Sequence, residues 1–253
     1  MLHKYFEINK YGHNIRCKTY YLDKNLVEKA VIFCTGFAGH KDNNAAERFS
    51  DKLLAKNKNA AVIVFDWPAH GDDVKKKLSL DDCTAYLDLV IEEAKTMYAT
   101  DQLYAYATSF GGYLILKYLH EKGDPFVKTA LRSPAVDMYG TLMNSIMRSG
   151  ETEKLKKGKD AAVGFDRKVV ITRSFLDELE KQDVRTWDYL DYADDILILH
   201  GTKDEIVPFE QSKEFAENNI IEFIPVLNAD HRFQDPVLMS LATKYVLEFF
   251  GMR

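Results

Sequence analysis

The sequence predicts an α/β protein: a mostly parallel, eight-stranded sheet with helices on both faces and an inserted lid. Three observations carry this. Short, almost wholly apolar runs alternate with amphipathic helical stretches along most of the chain, the pattern of strands covered on both faces by helices. Polar and glycine-containing clusters follow the apolar runs, at the carboxyl ends where parallel sheets bind ligands. One run, Leu103-Tyr104-Ala105-Tyr106-Ala107-Thr108, stops at Ser109, and a helical pattern opens behind it at Phe110-Gly111-Gly112.

Taken in order, residues 5–8 and 15–21 are β-rich and flank the turn-like cluster Lys10-Tyr11-Gly12-His13-Asn14. They predict an antiparallel hairpin at a sheet edge. Ala30-Val31-Ile32-Phe33-Cys34 reads as a buried strand that ends in Thr35-Gly36-Phe37-Ala38-Gly39-His40-Lys41. The following helix has Ala45, Ala46, Phe49, Leu53 and Leu54 on one face. Ala61-Val62-Ile63-Val64-Phe65 is a second buried strand and runs into the loop Asp66-Trp67-Pro68-Ala69-His70-Gly71-Asp72. A helix over 79–98 starts with Ser-Leu-Asp-Asp and turns Leu87, Val90, Ile91, Ala94 and Tyr98 inward. After the Ser109 turn, Lys128-Thr129-Ala130-Leu131-Arg132 is a short strand closing at Ser133-Pro134.

The alternation breaks over 135–188. An amphipathic stretch with Met138, Tyr139, Leu142, Met143, Ile146 and Met147 precedes a charged, glycine-punctuated segment over 150–160. A strand-like piece over 168–172 and a helical piece over 174–181 complete it. This stretch is too short for its own core, so it is expected to be a lid inserted into a core made of 1–134 and 189–253. The alternation resumes with a strand over 195–200, the loop Gly201-Thr202-Lys203-Asp204-Glu205, a helix over 209–218 and a last strand over 221–226. The loop Asn228-Ala229-Asp230-His231-Arg232-Phe233 leads to a final helix with Leu238, Leu241, Tyr245 and Phe249 on one face.

With 253 residues, 46% apolar and 29% charged, the composition is that of an ordinary globular chain. The net charge of -5 gives no reason to expect a nucleic-acid partner. The basic runs at 75–77 and 154–159 read as solvated surface. Cys17, Cys34 and Cys83 are scattered, without metal or redox spacing, and fit a reducing cytoplasm. The N-terminal residues have no apolar signal-peptide core, and no run approaches the roughly 18 apolar residues of a membrane span. No nucleotide-binding or metal-ligand motif is present, so no cofactor and no metal is expected.

The chemistry follows from the punctuation. A serine hydroxyl is a weak nucleophile until a base takes its proton, and the base needs an orienting carboxylate. Ser109, Asp204 and His231 follow one another in the order serine, acid, histidine, each in a loop after a strand. Glu205, Asp194, Asp195, Asp230 and Asp235 are rivals for the acid; Asp204 is favoured because a Gly-x-x-Asp turn just past a strand aims its carboxylate inward. The oxyanion of a tetrahedral intermediate needs two backbone N–H donors. Phe110, after the nucleophile, and Phe37, in the first glycine-containing loop, are the candidates. His70 and His200 read as structural.

These pieces together resemble the α/β-hydrolase superfamily, within it the bacterial esterase branch with cinnamoyl and feruloyl esterases and monoacylglycerol-lipase-like or serine-aminopeptidase-like hydrolases. The matching stretches are those around Gly36, Asp66, Ser109, Asp204 and His231. Two positions depart from the pattern: Thr35 stands where the family usually has histidine, and Ala107 where the elbow G-x-S-x-G has its first glycine. The resemblance implies the α/β-hydrolase fold and a cytoplasmic serine hydrolase cleaving small carboxylic esters, with an apolar or aromatic acyl group suited to the Met-, Leu-, Tyr- and Phe-rich lid. A thioesterase or an aminopeptidase-like hydrolase with the same triad is the alternative, and a non-catalytic ligand-binding protein a third. The expected partner is a small-molecule ester; the oligomeric state is open, a homodimer included.

Overall fold

The structure, a computed structural model, describes residues 1–73 and 75–252. β1 (Leu2–Lys10) and β2 (His13–Tyr21) form the predicted hairpin. Its two-residue turn has Tyr11 at φ 50 and Gly12 at φ 79, the left-handed pair that matches strand twist. β3 (Lys29–Cys34), α1 (Asn44–Lys56), β4 (Ala60–Phe65), α2 (Leu80–Tyr98), β5 (Leu103–Thr108), α3 (Phe110–Lys122) and β6 (Lys128–Arg132) then alternate. The stretch 135–188 holds α4 (Met138–Thr141), a π-helical turn (Leu142–Ile146), α5 (Ser149–Lys156), β7 (Ala161–Val163), β8 (Val169–Ile171) and α6 (Arg173–Lys181). The core ends with β9 (Ile196–Gly201), α7 (Phe209–Asn218), β10 (Glu222–Val226) and α8 (Pro236–Phe249).

Eight strands form one sheet in the order β1-β2-β4-β3-β5-β6-β9-β10. β1–β2 and β2–β4 are antiparallel, and every other pairing is parallel. The chain steps from β3 outward to β4 and then back across to β5 on β3's other side. That reversal opens a crevice beyond the carboxyl ends of β3 and β5, a switch point where such sheets bind ligands.

The central strands are buried on both faces, and their side chains divide by the period of two that pleating imposes. Ile32, Cys34, Ile63, Phe65, Ala105 and Ala107 belong to the apolar cluster under α2 and α3. Val31, Phe33, Val62, Val64, Tyr104 and Tyr106 belong to the cluster under α1 and α8.

Three elements differ from the sequence expectation. The charged segment after Gly150 contains the helix α5, held by one buried apolar residue, Leu155. β7, which pairs antiparallel with β8, was not anticipated: three residues are too few for a periodic signal. On α8 the fully buried stripe is Ala242, Thr243, Val246 and Leu247, while Leu238, Leu241, Tyr245 and Phe249 are only half-buried. Small residues let the helix axis approach the sheet, and the larger ones flank the contact.

The buried residues of 135–188, among them Leu142, Val163, Ile171 and Phe175, join the cluster on the α2/α3 face. Leu78 N–H donates to Val170 O (3.3 Å) and Tyr113 Oη to Gln182 O (2.9 Å), tying the stretch to the core.

Candidate active site

Ser109 joins β5 to α3 with φ 52 and ψ -118, a conformation that L-residues adopt only when their surroundings enforce it. The enforcement is visible. Ser109 N–H donates to Arg132 O of β6 (3.1 Å), and Ser109 O accepts from Tyr113 N (3.2 Å) and Ala135 N (3.1 Å). α3 presses on the end of β3 at Gly111, where a Cβ would stand 2.6 Å from Cys34 O and 2.7 Å from Thr35 O. Only glycine permits that approach. Ala107, the off-pattern elbow position, is fully buried and lies in register between Cys34 and Leu131.

The three sequence-predicted side chains meet at this point. His231 Nε2 is 3.1 Å from Ser109 Oγ, and His231 Nδ1 is 2.8 Å from Asp204 Oδ2. The loops that bring them are stitched together: Lys203 N–H donates to Ala229 O (3.0 Å), and Asn228 N–H to Thr202 Oγ1 (2.9 Å). The Asp204 side chain is fully buried. Its Oδ1 accepts from Ile206 N (2.9 Å) and Val207 N (2.8 Å), which fixes the carboxylate plane. Burial pushes its pKa up, but hydrogen bonds and charge from His200 and His231 outweigh this and hold it well below the usual carboxylate range.

The rival acids have other roles. Glu205 accepts from the His231 backbone N–H (3.3 Å) rather than from its ring. Asp230 accepts from Gln234 N (2.8 Å), Asp235 caps α8 through Val237 N, and Asp195 pairs with Lys128.

Phe37 and Phe110 lie side by side, their rings 5.8 Å apart and edge-to-face. Phe110 is the first residue of α3, so its N–H is among the first-turn donors without an intrahelical acceptor. The Phe37 loop runs beside the serine: a Cβ on Gly36 would stand 3.2 Å from Ser109 Cβ. Gly39 N–H closes a turn onto Gly36 O (2.9 Å), with Ala38 at φ 60.

Asp66, fully buried, anchors this loop from below. It accepts from Lys41 N (2.7 Å), Lys41 Nζ (3.2 Å) and Asp72 N (2.9 Å). Lys41 Nζ also bonds Asp72. Gly71, at φ 54, leaves the room this carboxylate needs: a Cβ there would be 2.3 Å from Asp66 Oδ1. His70 is 2% exposed, bonds Pro68 O through Nδ1 (2.9 Å) and stacks on Phe110. Burial pushes its pKa down to about 4, so its ring is neutral at physiological pH.

A cavity of about 340 Å³ opens at Ser109 and His231, walled by Phe37, Ile146 and Phe165 among others. Its charged lining is Arg132, Arg167, Arg232 and Asp166.

Two features of the site were not anticipated. His200, expected to be structural, has Nε2 3.1 Å from Val207 O and 3.0 Å from Asp204 Oδ2, so it shares that carboxylate with His231. Arg132 is 6% exposed at the end of β6 and lines the cavity; a charge closing an apolar strand was the available signal. Among the described residues no cluster of His, Cys, Asp and Glu has the arrangement of a metal site, and no helix is long and apolar enough to cross a membrane.

Comparison with known proteins agrees with the architecture. The structure is similar to a putative hydrolase from Agrobacterium vitis S4 (TM-score 0.78, 16% identity, covering 99% of this chain and 100% of that one). It is also similar to Est1E from Butyrivibrio proteoclasticus, solved with ferulic acid bound (TM-score 0.77, 18% identity, 97% and 99% covered). A third similar structure is the Pyrococcus furiosus esterase Pf2001 (TM-score 0.71, 19% identity, 100% and 93% covered). These likenesses carry the α/β-hydrolase fold. A search of the curated proteins finds no match. The model of the prolyl oligopeptidase family matches residues 63–251, from within β4 to the last residue but two and so through Ser109, Asp204 and His231. The chain is a hydrolase of the α/β-hydrolase fold and belongs to the prolyl oligopeptidase family.

Proposed function

We propose that the protein is a serine hydrolase of small carboxylic esters, with Ser109 as nucleophile, His231 as base and Asp204 as the orienting acid. The observation that carries this is the hydrogen-bonded chain from Ser109 Oγ through both ring nitrogens of His231 to Asp204, at 3.1 and 2.8 Å. His231 Nε2 accepts the Ser109 proton as Oγ attacks the ester carbonyl. Asp204 keeps the remaining proton on Nδ1 and stabilises the imidazolium that forms. The N–H groups of Phe37 and Phe110 hold the oxyanion. Collapse expels the alcohol with the proton from Nε2. A water, deprotonated by the same nitrogen, then releases the acid from Ser109.

Residues 135–188 act in this reading as a lid over the core formed by 1–134 and 189–253. Ile146 and Phe165 supply its apolar contribution to the cavity, which suits an apolar or aromatic group beside the scissile bond. Est1E, a structural neighbour, has ferulic acid, an aromatic acid, bound.

An aminopeptidase-like activity needs a carboxylate to receive the substrate amine. Of the lid acids, Glu178 accepts from Leu80 N, Asp177 pairs with Arg173 and Glu153 with Lys156, and neither Glu151 nor Glu180 lines the cavity. Asp166, the one acid in the cavity lining, pairs with Arg232 at 3.4 Å. Ester hydrolysis is therefore favoured over amine-directed peptide hydrolysis. Turnover of 4-nitrophenyl esters by wild type and Ser109→Ala tests the proposal; equal rates for the two would contradict it.

A further inference from the structure

Arg132 is a buried cation without a counter-charge. It is 6% exposed, and among the described residues no carboxylate stands within ion-pair distance of it. Its hydrogen bonds run from Nη1 to Tyr106 Oη at 3.4 Å and to Met239 Sδ at 3.0 Å, both weak acceptors. Nε is buried with no acceptor at all. The rings of Phe233 (5.1 Å) and Tyr106 (6.0 Å) face the guanidinium and offset part of the charge. Burying an ion without a partner is strongly unfavourable, so a strand-end arginine in this setting calls for an explanation.

Its location supplies one. Arg132 lies in register with Thr108, the residue before Ser109, and its own carbonyl holds Ser109 N–H. It lines the same cavity as Ser109 and His231. Arg167 and Arg232 stand in the same lining against Asp166 alone, in a chain whose net charge is -5. The cavity is thus locally positive in an acidic protein, and Arg132 is the buried one of its three arginines, Arg167 and Arg232 being exposed.

We propose that the cavity accepts an ester carrying an oxyanion group, carboxylate or phosphate, and that Arg132 binds that group. A planar guanidinium recognises such oxyanions by paired, charge-assisted hydrogen bonds. The substrate's anion then completes the ion pair that the folded chain leaves open. The proposal rests on the reading of Ser109 as the nucleophile and adds what flanks the scissile bond.

Matched esters test it: 4-nitrophenyl hexanoate against the mono-4-nitrophenyl ester of adipic acid, and 4-butyryloxybenzamide against 4-butyryloxybenzoate. Wild type prefers at least one anionic member by about tenfold or more in kcat/KM, the worth of one hydrogen bond between charged groups. That ratio falls about tenfold in Arg132→Met and is largely kept in Arg132→Lys; being a ratio within one variant, it is unaffected by partial loss of folded protein. No preference in wild type, or an unchanged ratio in Arg132→Met, overturns the proposal. Protection of Ser109 from a neutral fluorophosphonate by adipate or by inorganic phosphate identifies which oxyanion is held; protection by neither counts against the site. Labelling of Ser109 without anion preference rejects the anion site and leaves the hydrolase reading intact. If Ser109 takes no label, calorimetric binding of adipate or phosphate that is lost in Arg132→Met still supports the anion site, and absence of binding rejects it.

Discussion

His200 Nε2 stands 3.0 Å from Asp204 Oδ2, the same oxygen that lies 2.8 Å from His231 Nδ1. Two imidazoles therefore converge on one carboxylate oxygen, while the other oxygen takes the Ile206 and Val207 amides. Nδ1 of His200 is buried without a partner, so the ring proton sits on Nε2, shared between Asp204 and Val207 O. We predict that His200→Phe lowers kcat roughly tenfold, the loss of one hydrogen bond to a charged group, with little change in KM. An unaltered kcat would restrict His200 to packing.

In the proposed mechanism Asp204 fixes the tautomer of His231. Asp204→Asn leaves the shape but offers the ring a donor in place of an acceptor, and we predict a loss of ~10⁴-fold in kcat. Asp204's depressed pKa also has a stability consequence. A carboxylate whose folded-state pKa lies below its unfolded value of about 3.9 stabilises the fold fully above that value and loses the contribution as pH falls. Acid denaturation of Asp204→Asn, followed by circular dichroism, is accordingly shallower below pH 4 than that of wild type.

The loop that carries Phe37, the proposed oxyanion donor, depends on a buried charge cluster. Asp66→Ala removes the acceptor for Lys41 N, Lys41 Nζ and Asp72 N together and leaves Lys41 with the solvent-facing Asp42 and Asp72. We predict a destabilisation of about 3 kcal/mol, the scale for breaking a buried pair, read as a lower urea midpoint. Activity of the remaining folded fraction also falls, because Phe37 is carried on this loop.

His70 links stability to pH. Its folded-state pKa of about 4 lies below the ordinary histidine value, so the unfolded chain binds the extra proton. Its contribution is complete above pH ~6.5 and is lost progressively toward pH 4, to a total of about 3 kcal/mol. His70→Phe removes this dependence, and the difference in Tm between the two proteins narrows as pH falls through that window. Comparing the two proteins isolates the effect, because burial raises Asp124 to about 6 and acts in the opposite sense in both. A constant difference in Tm from pH 7 to 4 would contradict this assignment.

Much of the site was legible because it is punctuation. Ser109, Asp204 and His231 each interrupt a strand–helix alternation, and the sheet topology guarantees that strand ends meet. Asp204 stands out among six neighbouring acids because a turn of fixed length follows β9, and it is the one that meets the His231 ring. What sequence does not carry is the company a side chain keeps. Arg132 meets Tyr106, Phe233 and Met239, which come from β5, the His231 loop and α8, and only the assembled sheet makes its charge solitary. His200's second bond was hidden for the same reason: a histidine ending a strand reads alike whether it faces a carbonyl or a carboxylate. On α8 the large apolar residues that dominate the helical pattern do pack against the core, but the most deeply buried positions include Ala242 and Val246, which a search for large residues passes over.

The central claim is that Ser109 is an activated nucleophile. Reaction with a fluorophosphonate, followed by peptide mass spectrometry, tests it most directly. The account predicts stoichiometric label on the peptide containing Ser109, none in Ser109→Ala, and labelling slowed by orders of magnitude in His231→Ala. Undiminished labelling of Ser109→Ala, or a wild type that takes no label while folded, would contradict it.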